Sequence, residues 1–230
     1  MISDSNNIYL VTYAPGTCGT YIMSLIWCLI ENPKVSIIFS KHGNAHQSFS
    51  NLVKSNWDFN RNTSEWKDFK KNRSAKDHLY RLVKPVTEKK ALILPGHEFP
   101  DFEEFIEMYP NAKFIFIQRR DEDIEYIKKL FYYKVSVDSL RLDIPIEKTG
   151  QEQIHEETFN LSKFINPNIP EIYKDRTCVI KFRDILNEHS IFLESLGKFV
   201  NREITDKIQK MHIEYLSKQP IDLSFAKIAD

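Results

Sequence analysis

The chain has 230 residues and a mass of 27.2 kDa, with 42% hydrophobic and 28% charged residues, the composition of an ordinary globular protein. Lys+Arg and Asp+Glu each number 32, so the formal net charge is zero and the pI about 7.1, which argues against a general nucleic-acid coat or a polybasic membrane binder. Six glycines and ten prolines exclude collagen-like and low-complexity chains, and three scattered cysteines, Cys18, Cys28 and Cys178, are too few for a disulfide framework or a CxxC metal site.

One domain covering 1–230 is expected, long enough to bury about 70% of the surface its unfolded chain exposes. No signal peptide is legible at Met1–Asn7 and no apolar run approaches the ~18 residues of a membrane span, so a soluble cytoplasmic protein is expected.

The first element is a strand, Ile8–Tyr13, rich in β-branched and aromatic residues and ending at Ala14-Pro15-Gly16. Gly19–Ile30 reads as a deeply buried helix, apolar nearly all round. Val35–Phe39 is read as a second strand, followed by His42-Gly43-Asn44-Ala45-His46. The two imidazoles of that stretch have helical spacing, but Gly43 weakens a helix there and no third metal ligand is evident. A polar excursion at about 55–90 carries ten Lys/Arg against four Asp/Glu between residues 61 and 90; it reads as a solvated helix pair or mobile excursion, or as a basic rim near an anionic ligand.

Ala91–Leu94 is a short strand running into Pro95-Gly96-His97-Glu98. Phe102, Phe105, Ile106 and Tyr109 recur at the spacing of one helical face, which Pro110 terminates. Lys113–Ile117 is the best strand in the chain and leads through Gln118-Arg119-Arg120 into a helix predicted over 121–133. A helix is predicted over 151–165, a loop over 166–170, a strand over 178–182, and amphipathic helices at about 188–200 and 203–218. Strand–helix alternation along the whole length indicates an α/β domain with a parallel sheet.

Three strand ends carry chemistry. At Gly16-Thr17-Cys18-Gly19-Thr20-Tyr21 a strand turns through glycines and small hydroxyl residues into a helix N-terminus, a cradle of backbone N–H groups suited to phosphate or sulfate. It is not a Walker A loop, because Thr20 stands where that motif needs lysine, which argues against an ordinary ATPase or GTPase. A purely structural turn is the competing reading. Arg119 is placed to take a phosphate bidentately at a strand's carboxyl end, or else the Arg119-Arg120 pair serves Asp121, Glu122 or Asp123. His97 can accept a proton from a hydroxyl near neutral pH, or be structural.

Together these segments resemble the sulfotransferase family, whose donor is 3′-phosphoadenosine-5′-phosphosulfate. The family's first loop, PKSGTT or PRSGTT, is similar to Gly16–Tyr21, and its R-N-P-R-D-V signature to Arg119–Ile124, with Arg119 and Asp123 matching. His97-Glu98-Phe99-Pro100 resembles the loop carrying the family's catalytic base, and Val179–Leu186 its late strand and Y-E-D-L-L segment. The resemblance implies a doubly wound parallel sheet flanked by helices. It also implies sulfuryl transfer to a hydroxyl or amine of a small-molecule or glycan acceptor, with no metal and no nucleic-acid or membrane partner. His97 or Glu98 would be the base; Gly16, Thr17, Cys18, Gly19, Thr20, Tyr21, Arg119 and Lys128 would hold the donor.

The departures are specific. The family's basic loop residue falls on Thr17 and the serine that helps hold the 3′-phosphate falls on Ile127, with Lys128 beside it; Asp121 and Glu122 add negative charge. Lys41, Arg120 or a residue of 61–90 is left to supply the missing positive charge. Two alternatives stay open: a non-catalytic relative binding a phosphorylated ligand or partner, and a nucleotide-dependent phosphotransferase with an atypical loop.

Overall fold

The computed structural model describes residues 7–14, 16–39, 45, 48–53, 57–59, 83–85, 91–96, 100–128, 164–165, 167–187 and 191–219. In chain order the elements used below are β1 (Asn7–Thr12), α1 (Gly19–Ile30), β2 (Trp57–Phe59), β3 (Val83–Pro85), β4 (Ala91–Gly96), α2 (Phe102–Met108), β5 (Ala112–Gln118), β6 (Thr177–Lys181), α3 (Phe182–Ile185), α4 (Ile191–Val200) and α5 (Asp206–Ser217).

Four strands form an all-parallel sheet in the order β4-β1-β5-β6, flanked by helices. The middle strand β1 pairs Thr12 with both Gly96 and Phe116, so the carboxyl ends of β4, β1 and β5 lie side by side. Burial on both faces explains why β1 reads as a continuous apolar run rather than an alternating one. On one face Phe114, in register with Leu10, meets Phe102 of α2 edge-on at 4.8 Å, and Phe102 stacks in turn on Tyr173. On the other face Lys113, in register with Tyr9, donates to the Phe199 carbonyl of α4 at 3.3 Å. Helices therefore cover both sides.

Helix α1 buries eleven of its twelve residues, and its buried Ser24 hydroxyl donates to the Thr20 carbonyl one turn back. Full burial of each large aliphatic side chain is worth about 1.5–3 kcal/mol, so α1 is anchored by packing rather than by caps. Helix α2 does carry a cap: the Asp101 carboxylate accepts from the Glu104 amide at 3.1 Å.

Two expectations are corrected. Val35–Phe39 joins no strand, because the Ile37 amide goes to the Met211 sulfur and Ser48 Oγ takes both the amide and the carbonyl of Ile38. Within the polar excursion, β2 and β3 form a separate antiparallel pair with Asp58 opposite Lys84. The helix expected over 121–133 begins as a 3-10 turn at Asp121–Asp123 and is helical to residue 128; its remainder, and the helix expected over 151–165 as far as residue 163, lie outside the described residues. Among the described residues no helix is long and apolar enough to cross a membrane.

Candidate functional site

The sheet's own topology marks one place on its edge. Taken in chain order, the parallel strands β1, β4, β5 and β6 lie as second, first, third and fourth, so the direction of winding reverses between β1 and β5. In open α/β sheets the ligand crevice lies outside the carboxyl ends at such a reversal. Here those ends carry Gly16–Thr20 and Arg119-Arg120.

Between β1 and α1 the chain turns at Gly16–Cys18. Gly16 takes φ 82° and Cys18 φ 68°, while Thr17 between them stays negative. Alternation of this kind turns successive amides toward one side and makes a concavity for an anion. Gly19 and Thr20 open α1, and their amides have no carbonyl within the helix to bond. Thr17 does not add to the donors: its hydroxyl gives its hydrogen to the Ala14 carbonyl at 2.6 Å, and its amide goes to the same oxygen at 3.2 Å. The side chain is fully buried, and both of the Thr17 bonds to Ala14 hold the turn closed.

Gly19 has a different role from the one its sequence suggests. A Cβ there would lie 2.3 Å from the Tyr13 ring, so the missing side chain makes room for an aromatic of the core rather than for a ligand. Tyr21 is likewise turned inward. It is 1% exposed, its hydroxyl meets His212 Nδ1 at 2.9 Å, and its ring lies on that of Tyr215, which removes it from the anion-binding set. The strand-end donors that stand are the amides of Gly16, Gly19 and Thr20.

Beside the turn, Arg119 leaves β5 with its amide bonded to the Phe164 carbonyl and its guanidinium almost fully buried. Nη1 is 3.5 Å from the Arg120 carbonyl and 4.0 Å from an Asp121 carboxylate oxygen. Burial pushes this guanidinium below its ordinary range, and the Asp121 and Asp123 carboxylates oppose that shift; arginine stays charged throughout. Asp123 accepts from the Arg120 amide at 2.9 Å and from Arg183 Nε at 2.6 Å. That fully buried carboxylate ties the end of β5 to the start of α3. Asp184 next to it is held above the usual carboxylate range by burial, against the pull of Lys181 and Arg120.

Lys128 is half-buried, one residue past fully buried Ile127. His97 and Glu98, which follow β4, lie outside the described residues, as do His42, His46, Lys41 and most of the basic segment. Sequence reasoning missed His212 and Tyr215, which reach the turn from the far end of the chain. The available signal was slight: Tyr215 belongs to the apolar stripe of α5, and His212 follows Met211 in it.

The architecture defines an α/β protein with a parallel sheet, a reversal point between β1 and β5, and a tight strand-to-helix turn at that point. No protein-family model matches this chain, and no curated protein matches it.

Proposed function

We propose that this protein is a sulfotransferase-like enzyme that holds an adenosine 3′,5′-bisphosphate moiety at the β1/β5 edge. It passes a sulfuryl group from 3′-phosphoadenosine-5′-phosphosulfate to a hydroxyl or amine of a small-molecule or glycan acceptor. The observation that carries the proposal is the adjacency of an alternating-φ turn at Gly16–Cys18 and a buried arginine, Arg119, on neighbouring parallel strands at the sheet's reversal point. Backbone amides and a desolvated guanidinium are the donors that an anionic phosphate needs, and they act without reorganisation.

The donor supplies the sulfuryl group and keeps the electrons of the broken S–O bond on its 5′-phosphate. The chain's part is to hold that phosphate at the turn, to orient Arg119 on the second phosphate, and to take the acceptor's proton at His97 or Glu98 as the new O–S bond (N–S for an amine) forms. In-line placement of the two oxygens provides the rest.

The non-catalytic reading has a specific observation behind it, the buried Thr17 where the family has a basic side chain. Calorimetry with adenosine-3′,5′-bisphosphate, and with ATP in parallel, decides between them in stages. Binding of the bisphosphate and not ATP is expected, and absence of bisphosphate binding overturns the proposal. Preference for ATP favours a phosphotransferase. Binding without sulfuryl transfer to a panel of hydroxyls and amines favours the non-catalytic relative. Given turnover, His97→Ala should lower it roughly 10²–10⁴-fold, the usual worth of a positioned base, while leaving bisphosphate binding intact; a loss in Glu98→Gln alone moves the role one residue along.

A further inference from the structure

Cys18 is not glycine, yet it stands in the left-handed region with φ 68° and ψ 16° as the residue capping α1. Such a conformation persists when the surroundings over-determine it. Part of the constraint is local, since the Cys18 carbonyl accepts from the amides of Tyr21 at 3.0 Å and Ile22 at 3.1 Å. From almost two hundred residues away in sequence, α5 packs against the same place. The Tyr215 ring lies flat on the Tyr21 ring, with centroids 3.8 Å apart and planes 5° from parallel. His212, one turn earlier on α5, meets the Tyr21 hydroxyl at Nδ1 and the Asn187 carbonyl at Nε2, 3.0 Å away. A carbonyl only accepts, so Nε2 carries the proton and Nδ1 receives the one from Tyr21. Cys18 itself is buried against this group, and the Tyr215 hydroxyl is pushed well above the usual phenol range by burial and by its nearness to Cys18.

We infer that α5 is a latch on the Gly16–Thr20 turn: His212 and Tyr215 are positioning residues that keep Cys18 left-handed, and the turn's amides converge on an anion only while α5 is docked. The anion half of this statement rests on the function proposed above; the conformational half does not. Undocking α5 would therefore switch the site off without touching any residue of the turn.

Cys18 is also the reporter. In the full chain, labelling by a thiol reagent under native conditions, resolved by peptide mass spectrometry, should be slow at Cys18 and at Cys178, which lies buried in β6. Tyr215→Leu should speed Cys18 labelling about tenfold or more through local opening while Cys178 stays protected. Tyr215→Phe keeps the stacked ring and loses only the hydroxyl beside Cys18, so it should raise Cys18 labelling far less than Tyr215→Leu. Phe105→Leu, in α2 on the opposite face of the sheet, is the stability control and should raise both cysteines together. Tyr21→Phe, which removes only a hydroxyl, should give a smaller rise at Cys18 and decides the matter if Tyr215→Leu does not fold.

Cys18 labelling that is unchanged in folded Tyr215→Leu, or that rises only in step with Cys178, overturns the latch. Adenosine-3′,5′-bisphosphate binding is measured on the same proteins. It should weaken in Tyr215→Leu and not in Phe105→Leu, and equal binding in wild type and both of these variants overturns the link between latch and anion. A wild type that does not bind the bisphosphate removes the proposed function instead, and the labelling pattern still judges the latch.

Discussion

Replacing Gly19 by alanine tests whether the turn is closed by core packing. The added Cβ would sit 2.3 Å from Cγ and Cδ2 of Tyr13 and 2.4 Å from Cδ1. Non-bonded carbons rest about 3.5–4.0 Å apart, so the contact is short by roughly 1 Å or more. The ring is 7% exposed and cannot swing into solvent, and Gly19 is fixed at the start of α1. Relief requires an off-rotamer ring or a displaced turn, and overpacking of this kind costs about 1–3 kcal/mol. For a domain of this size that lowers Tm by roughly 2–12 °C, measured by thermal unfolding and checked by a urea midpoint at unchanged slope. The same substitution made in a Tyr13→Ala background should reverse sign, since alanine then brings only its better helix propensity. A Gly19→Ala protein as stable as wild type, or an equal loss in both backgrounds, would refute the packing argument.

Asp123→Ala removes a carboxylate that is 1% exposed from an Arg183 side chain that is 15% exposed, and also from the Arg120 amide; stability should fall by about 3–5 kcal/mol in denaturant titration. Arg119→Lys should weaken adenosine-3′,5′-bisphosphate binding while little affecting a nucleotide that lacks the 3′-phosphate, because lysine cannot reproduce a bidentate fork; equal effects on both ligands in calorimetry count against the assignment. Burial pushes the thiols of Cys28 and Cys178 from 9.0 up to about 12 and about 11, and the Tyr9 and Tyr109 hydroxyls from 10.0 up to about 12. The unfolded chain gives up these protons first, so stability should be full below pH 9 and fall as pH rises toward 11. Each group contributes about 1.4 kcal/mol per pH unit, and urea titrations of Cys178→Ala should show a slope shallower by that amount between pH 9 and 11.

The strands and helices that line the site were legible because their signals are local. Ile8–Tyr13 and Lys113–Ile117 carry β-branched and aromatic runs buried on two faces, and Phe102, Phe105 and Tyr109 keep the period of one helical face, so period and burial coincide over a few residues. The positions of the informative strand ends were legible for the same reason, since turn residues follow directly on apolar runs. Val35–Phe39 has the composition of a strand but not its partners; which backbone groups a segment meets is decided across the chain, and here they meet Met211 and Ser48. Strand order was equally out of reach: that β1 lies between β4 and β5, bringing Gly16 and Arg119 to one edge, depends on crossovers that no local pattern encodes. The direction of individual side chains was decided last. Thr17, Gly19 and Tyr21 read as ligand residues by type and spacing, but Ala14, Tyr13 and α5 claim them, because a buried hydroxyl must find a partner and a close-packed ring must find room.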